Sequence, residues 1–206
     1  VNGEYPTNGS AQIQYTDAGG NQQTGTFPVP KVNPVLYKVV KELQDKDGTV
    51  ITADRSFTVQ VTGPGAGGAA TVRSFTLNTN TESSTKLMTD LRYASTYTFE
   101  ETGNLSDYDV SYYVDGVAVS GADRKFTITD GNTADVEVKV VNKEKPGTLT
   151  ITKVLDQSVV SAKSGTRAAV SFSFSVTGPN SYNRTFDLPD NGSWTKTLTN
   201  LVKGTY

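Results

Sequence analysis

The sequence predicts an all-β protein of tandem antiparallel β-sandwich repeats, and three observations carry that prediction. Runs such as Ser56-Phe57-Thr58-Val59-Gln60-Val61 and Asp135-Val136-Glu137-Val138-Lys139-Val140 alternate polar and apolar residues with period two, the pattern of half-buried strands. Turn-forming clusters separate the runs: Asp47-Gly48, Thr62-Gly63-Pro64-Gly65, Asp130-Gly131-Asn132 and Asp190-Asn191-Gly192. The third observation is an internal repeat. Phe57-Thr58-Val59-Gln60-Val61-Thr62-Gly63-Pro64 returns 115 residues later as Phe172-Ser173-Phe174-Ser175-Val176-Thr177-Gly178-Pro179.

In chain order, residues 1–33 read as the tail of a preceding repeat, because 27–33 can be laid on 136–142, or as an N-terminal strand segment. Pro28 and Pro30 confine that stretch to a sheet edge. Residues 34–143 read as one complete repeat, its first strand near 35–40 and its last near 136–142. The best helical candidate, 85–93, is short and lacks a strong cap signal. Lys143-Glu144-Lys145-Pro146-Gly147 is a short linker, which predicts neighbouring repeats stacked into a stiff rod. Residues 147–206 read as the front of a further repeat. There Tyr37-Lys38-Val39-Val40 returns as Thr152-Lys153-Val154-Leu155, and Phe75-Thr76-Leu77 as Phe186-Asp187-Leu188. Thr89-Asp90-Leu91 with Thr96-Tyr97 returns as Thr199-Asn200-Leu201 with Thr205-Tyr206.

Composition narrows the function. The 206 residues contain no histidine and no cysteine, which removes Ser-His-Asp and Cys-His triads, His or Cys metal sites, disulfides and thiol redox work. Nineteen basic against twenty-one acidic residues leave a formal charge of −2, without the basic excess expected of a nucleic-acid partner. No apolar run approaches membrane-spanning length, so insertion in a membrane is not expected. The chain starts at Val1 without Met or signal peptide, as a mature or excised fragment would.

Three polar residues fall where alternation predicts core side chains. Lys38 shares strand parity with Leu36 and Val40, Glu101 with Tyr97 and Phe99, and Asn142 with Val136, Val138 and Val140. Lys153 shares parity with Leu149, Ile151 and Leu155. Singly, each is ordinarily a solvated strand end or a lysine stem reaching out of the core. Buried together, they would be costly unless they satisfied one another.

The Lys38-Val39 first strand, the strand at 57–64, the Tyr97-Thr98-Phe99-Glu100-Glu101 box and the terminal Val140-Val141-Asn142 together resemble the B-type (Cna-B-like) repeats of Gram-positive collagen adhesins. The same domain builds sortase-assembled pilins and surface stalks. The resemblance spans 34–143 and, as far as it runs, 147–206. It implies an Ig-like or transthyretin-like sandwich in a secreted protein of the bacterial cell wall and surface. Neighbouring repeats of the same protein are the implied partners. No cofactor, no metal and no enzymatic turnover are implied. It further implies an intramolecular isopeptide bond between a first-strand lysine and a last-strand asparagine, promoted by the glutamate of the box. Carried over, these are Lys38, Asn142 and Glu101, with Lys153 and Asn33 as cross-link candidates of the incomplete repeats. Lys41 and Glu100 are expected on the opposite face. Burial would leave the lysine neutral and nucleophilic and the glutamate protonated, able to polarise the amide and relay a proton to departing ammonia.

The function expected is therefore a structural stalk module of an adhesin or pilus. One rival is a module that binds a host extracellular-matrix protein such as collagen, using Tyr108, Tyr112 and Tyr113. A carbohydrate hydrolase would need two carboxylates facing one cleft, and no such pair stands out. Weaker signals point to plain turns. Asp45-Lys46-Asp47-Gly48 begins like a calcium loop without its later acids, and 63–70 is Gly/Ala-rich without a phosphate-loop ending. Tyr5-Pro6-Thr7-Asn8 has Thr7 where a sortase-reactive lysine would stand.

Overall fold

The computed structural model describes residues 5–6, 9–27, 29, 31–32, 35–79, 84–129, 134–154, 171–189 and 194–206. The fold is all-β, and no α-helix occurs among the described residues. No helix there is long and apolar enough to cross a membrane. The strands are β1 (Tyr5–Pro6), β2 (Ala11–Thr16), β3 (Gln22–Phe27), β4 (Lys31–Val32), β5 (Tyr37–Gln44), β6 (Ser56–Pro64), β7 (Ala70–Asn78), β8 (Thr85–Leu87) and β9 (Thr96–Thr102). They continue with β10 (Tyr108–Val114), β11 (Val117–Val119), β12 (Lys125–Thr127), β13 (Val136–Glu144), β14 (Gly147–Thr152), β15 (Ser171–Gly178), β16 (Tyr182–Pro189) and β17 (Thr195–Leu201).

Two sheets face one another across the central core. One has the order β11-β10-β13-β5-β8, the other β12-β9-β6-β7. Period-two alternation decides what each buries. Val39, Val138 and Val140 of the first sheet meet Val59, Val61, Leu77, Tyr97 and Phe99 of the second in one apolar cluster. Most pairings are antiparallel, but β13 lies parallel to β5, with Lys38 opposite Glu137 and Leu43 opposite Asn142. The strands nearest the two ends of this unit are thus hydrogen-bonded neighbours at its centre.

The helical candidate at 85–93 is strand and turn. Lys86 pairs with Val39 on β5, and the left-handed backbone of Asp90 (φ 58°) and Ala94 (φ 54°) would break a helix. The Asp45 carboxylate accepts the amide N–H groups of Asp47 and Thr49, so the calcium-like stretch is an Asx turn. The segment laid on 136–142 is not one strand: β3 pairs with β2, and the short β4 pairs with β1. Among the described residues, β14 pairs with β17 and β15 with β16 around Val176, Leu198 and Leu201.

A close packing recurs in both halves of the repeat. A Cβ at Gly63 would fall 2.7 Å from Tyr97 Cε1, and a Cβ at Gly178 would meet the Tyr206 ring in the same way. The Tyr97 hydroxyl donates to the Pro64 carbonyl at 2.7 Å, which fixes the ring over the glycine. Gly63→Ala is therefore expected to lower stability by about 1–3 kcal/mol through overpacking, read from thermal unfolding.

Candidate cross-link site

The strand geometry places one lysine, one glutamate and one asparagine together inside the sandwich, but the lysine is Lys41. On β5 the inward residues are Val39, Lys41 and Leu43, and the Lys41 side chain is completely buried. Lys41 Nζ lies 3.5 Å from Glu101 Oε1. The Asn142 amide Nδ2 donates to that same oxygen at 3.1 Å, and Asn142 is 0% exposed. Lys41 Nζ also donates to the Val140 carbonyl at 3.2 Å and sits 4.5 Å from the centre of the Phe57 ring. Glu101 arrives on β9 through the Tyr97, Phe99, Glu101 alternation, while Glu100 is exposed. Asn142 arrives on β13, on the face of Val138 and Val140.

Lys38 does not belong to this group. It is half-buried on the outer face, where its Nζ pairs with Glu137 Oε2 at 3.2 Å. The expectation of Lys38 inside and Lys41 outside is thus reversed. Leu36 and Val40 suggested the even parity, but the strand runs on to Gln44. Over 37–44 the odd positions are Tyr, Val, Lys and Leu, and the even ones Lys, Val, Glu and Gln. The longer window would have found Lys41.

The second half supports the same reassignment. Val39 is opposite Lys86 in β5/β8, and Ile151 is opposite Lys196 in β14/β17, so Lys153 occupies the place of Lys41 rather than of Lys38. Its Nζ lies 5.1 Å from the centre of the Phe172 ring, as Lys41 lies over Phe57. The lysines are 112 residues apart and the phenylalanines 115, so the intervening stretch of sequence is three residues longer in the second copy. Among the described residues no carboxylate is paired with Lys153. Asn33 lies outside the described residues.

Burial shifts both ionisable members of the group toward their neutral forms. Burial lowers the Lys41 amine to about 8, against the opposing charge and hydrogen bond of Glu101 and the charge of Glu42. Burial likewise raises Glu101, against the charge of Lys41 and its hydrogen bonds with Asn142 and Lys41. Glu101 Oε2 and Asn142 Oδ1 are buried without hydrogen-bond partners among the described residues. A protonated carboxyl facing a primary amide satisfies both at once: the amide N–H donates to one acid oxygen, and the acid O–H donates to the amide oxygen. The arrangement thus gathers an amine and a primary amide on the same oxygen of one buried carboxyl group. No cluster of three or more metal-ligating side chains occurs among the described residues.

Among solved structures, the chain is similar to a major pilin protein (T3.2) of Streptococcus pyogenes, at 17% identity and TM-score 0.38, covering 70% of this chain and 63% of the pilin. It is also similar to a pilus-presented adhesin, Spy0125 (Cpa), at 12% identity and TM-score 0.33, covering 61% of this chain and 35% of the adhesin. A two-repeat fragment (B1B2) of the collagen-binding protein of Staphylococcus aureus matches at 15% identity and TM-score 0.27, covering 93% of this chain and 79% of the fragment. The chain thus spans less than two thirds of the first two. No curated protein sequence matches it. The family described as a domain of unknown function, DUF5979, matches residues 35–144. Those limits enclose β5 through β13, with Lys41, Glu101 and Asn142 all inside, and cover just over half of the chain, which belongs to that family.

Proposed function

We propose that the chain is a load-bearing stalk module of a bacterial surface adhesin or pilus, locked by a self-formed isopeptide bond between Lys41 and Asn142. The observation that carries this reading is the fully buried Lys41–Glu101–Asn142 group at 3.5 and 3.1 Å. A binding surface has no use for three ionisable or amide groups sealed in a core, and their burial is unfavourable unless they react or satisfy one another. In the reaction the neutral Lys41 Nζ attacks the Asn142 side-chain carbonyl carbon while Glu101 protonates and stabilises its oxygen. Glu101 then relays the extra proton from the attacking nitrogen to the departing amide nitrogen, and takes back the proton it lent to the oxygen as the carbonyl re-forms. One C–N bond forms, one breaks, and ammonia leaves. Each chain reacts once, without turnover.

The position of the bond suits a stalk. β5 and β13 carry the two ends of this unit, so tension applied along the chain reaches the bond before it reaches the core. The following segment lies against the same end: Lys145 Nζ donates to the Ser106 carbonyl at 2.9 Å, and Lys203 Nζ lies 3.1 Å from Asp107 Oδ2. These contacts support a reading in which a repeat at 34–143 stacks on its neighbour at 147–206. Of the tyrosines proposed for matrix binding, Tyr108 packs against Phe57 and Tyr112 against Phe99, and both are half-buried.

Single-molecule extension through the termini tests the role. The roughly 100 residues between Lys41 and Asn142 are expected to stay closed, withholding about 350 Å of contour length that an unlinked variant releases. Release of that length by the wild-type chain would refute the load-bearing role.

A further inference from the structure

The proposed bond needs groups from two different sheets to meet. Lys41 and Asn142 stand on β5 and β13 of one sheet, and Glu101 stands on β9 of the other. Facing sheets lie about 10 Å apart and are held chiefly by apolar packing, which has no preferred direction. We infer that Tyr112 fixes the reach of Glu101 across this gap, its hydroxyl holding the Glu101 backbone from the opposite sheet; the inference rests on the proposed bond.

The strand ladder shows why a side chain is needed there. Odd-numbered residues along β9 turn their backbone toward β12: Ser95 accepts the Ile128 N–H at 3.0 Å, and the Phe99 N–H donates to the Arg124 carbonyl at 3.1 Å. β12 begins at Lys125, behind the turn at Gly121–Asp123, so the ladder stops at Arg124. Glu101, two residues further on, points its N–H the same way and finds the Tyr112 hydroxyl at 3.4 Å. Tyr112 itself is anchored on the other sheet. On β10 it stands opposite Val140, whose carbonyl accepts Lys41 Nζ, and Val110, two residues back on the same face, stands opposite Asn142. Its ring meets Phe99 edge-on with centroids 6.0 Å apart, and the Arg124 guanidinium lies 4.9 Å from the ring centre. The backbone of Tyr112 thus moves with the lysine and the asparagine, while its hydroxyl moves with the glutamate. Small errors in the separation of reacting groups are costly in rate, so a tie between these two strands bears directly on linkage. Tyr112 is a positioning residue for a reaction whose atoms it does not touch.

Tyr112→Phe removes the hydroxyl and keeps the ring against Phe99 and Arg124. Chains are refolded from denaturant, and mass against time gives the linkage rate per folded chain. Tyr112→Phe is expected to slow linkage about five-fold, which at 1.36 kcal/mol per tenfold is about 1 kcal/mol, the ordinary net worth of one hydrogen bond. Tyr113→Phe, one residue along on the outer face opposite Lys139, is expected to link at the parent rate. A second readout does not need the bond. In Asn142→Ala chains, Tyr112→Phe is expected to quicken amide hydrogen exchange at Glu101 by the same factor, while the Phe99 amide, held by Arg124, exchanges as before. A merely structural hydroxyl would loosen both amides together, or would lower stability while folded chains still link at the parent rate. Either result, or equal slowing by Tyr113→Phe, would overturn the inference. A parent chain at its full sequence mass would instead overturn the cross-link reading, and exchange at the Glu101 amide would still decide whether Tyr112 holds that strand.

Discussion

Lys41→Ala and Asn142→Ala chains should each weigh what their sequences dictate, whereas the wild type should weigh one ammonia less. The mass difference is binary, and peptide mapping should find it as a branched peptide joining the segments around Lys41 and Asn142. Lys38→Ala should keep the ammonia loss, since Lys38 faces outward against Glu137. Asn142→Asp can still link by losing water, but Ala cannot. The stability effect is large because the bond closes a loop of about 100 residues, which in the entropy model restricts the unfolded chain by about 4–5 kcal/mol. For a domain of this size that corresponds to a fall in melting temperature of roughly 20 °C or more. Lys41→Ala also removes buried packing, so Asn142→Ala is the cleaner comparison. A wild-type mass equal to the sequence mass, or linkage surviving in Lys41→Ala, would remove Lys41 from the reaction.

Much of this was legible in the sequence because strands announce their buried face. Glu101 and Asn142 follow runs with apolar residues at every second position, Tyr97 and Phe99 in one case and three valines in the other, and both lie inside. The first strand was harder. As a central strand it has Val39 and Val40 side by side, with polar residues on both faces, so a short window supports either parity. The repeat could have decided it, had the spacing not been taken as uniform. The sequence spacing changes between copies, and Lys153 then aligns with Lys41 only once the strand pairings with Lys86 and Lys196 are known. The parallel pairing of β5 and β13 was not legible at all, because alternation is indifferent to strand direction. The helical candidate failed for a local reason, the left-handed residues Asp90 and Ala94, which a polarity pattern does not record.

Glu101→Gln is expected to slow linkage by at least about 100-fold while leaving the all-β circular dichroism in place, because the amide keeps the shape but cannot relay a proton. The pH profile carries the same argument further. Reaction requires an uncharged Lys41 amine and a protonated Glu101, a state with the same total proton count as the ion pair. Below the raised Glu101 value a second proton accumulates and Lys41 becomes ammonium; above about 8, the lowered value of Lys41, the last proton leaves and Glu101 is a carboxylate. The linkage rate is therefore expected to be bell-shaped, with its alkaline limb near pH 8 and its acid limb above the ordinary carboxylate range. It is measured by mass against time on chains taken unfolded and unlinked from inclusion bodies. An amine acting without Glu101 would behave differently, its rate rising through pH 8 to a plateau. The unlinked Glu101→Gln chain reports the amine separately. Without the Glu101 charge, which holds the Lys41 value up, the folded lysine lies further below its unfolded value of 10.5; the unfolded chain binds more protons between the two, so stability should rise with pH up to about 10.5 over a window that opens below pH 8. A plateau in linkage rate above pH 8, together with linkage of Glu101→Gln at the wild-type rate, would show that the buried acid is a bystander. The bell and the rising stability together would place both protons where the reaction needs them.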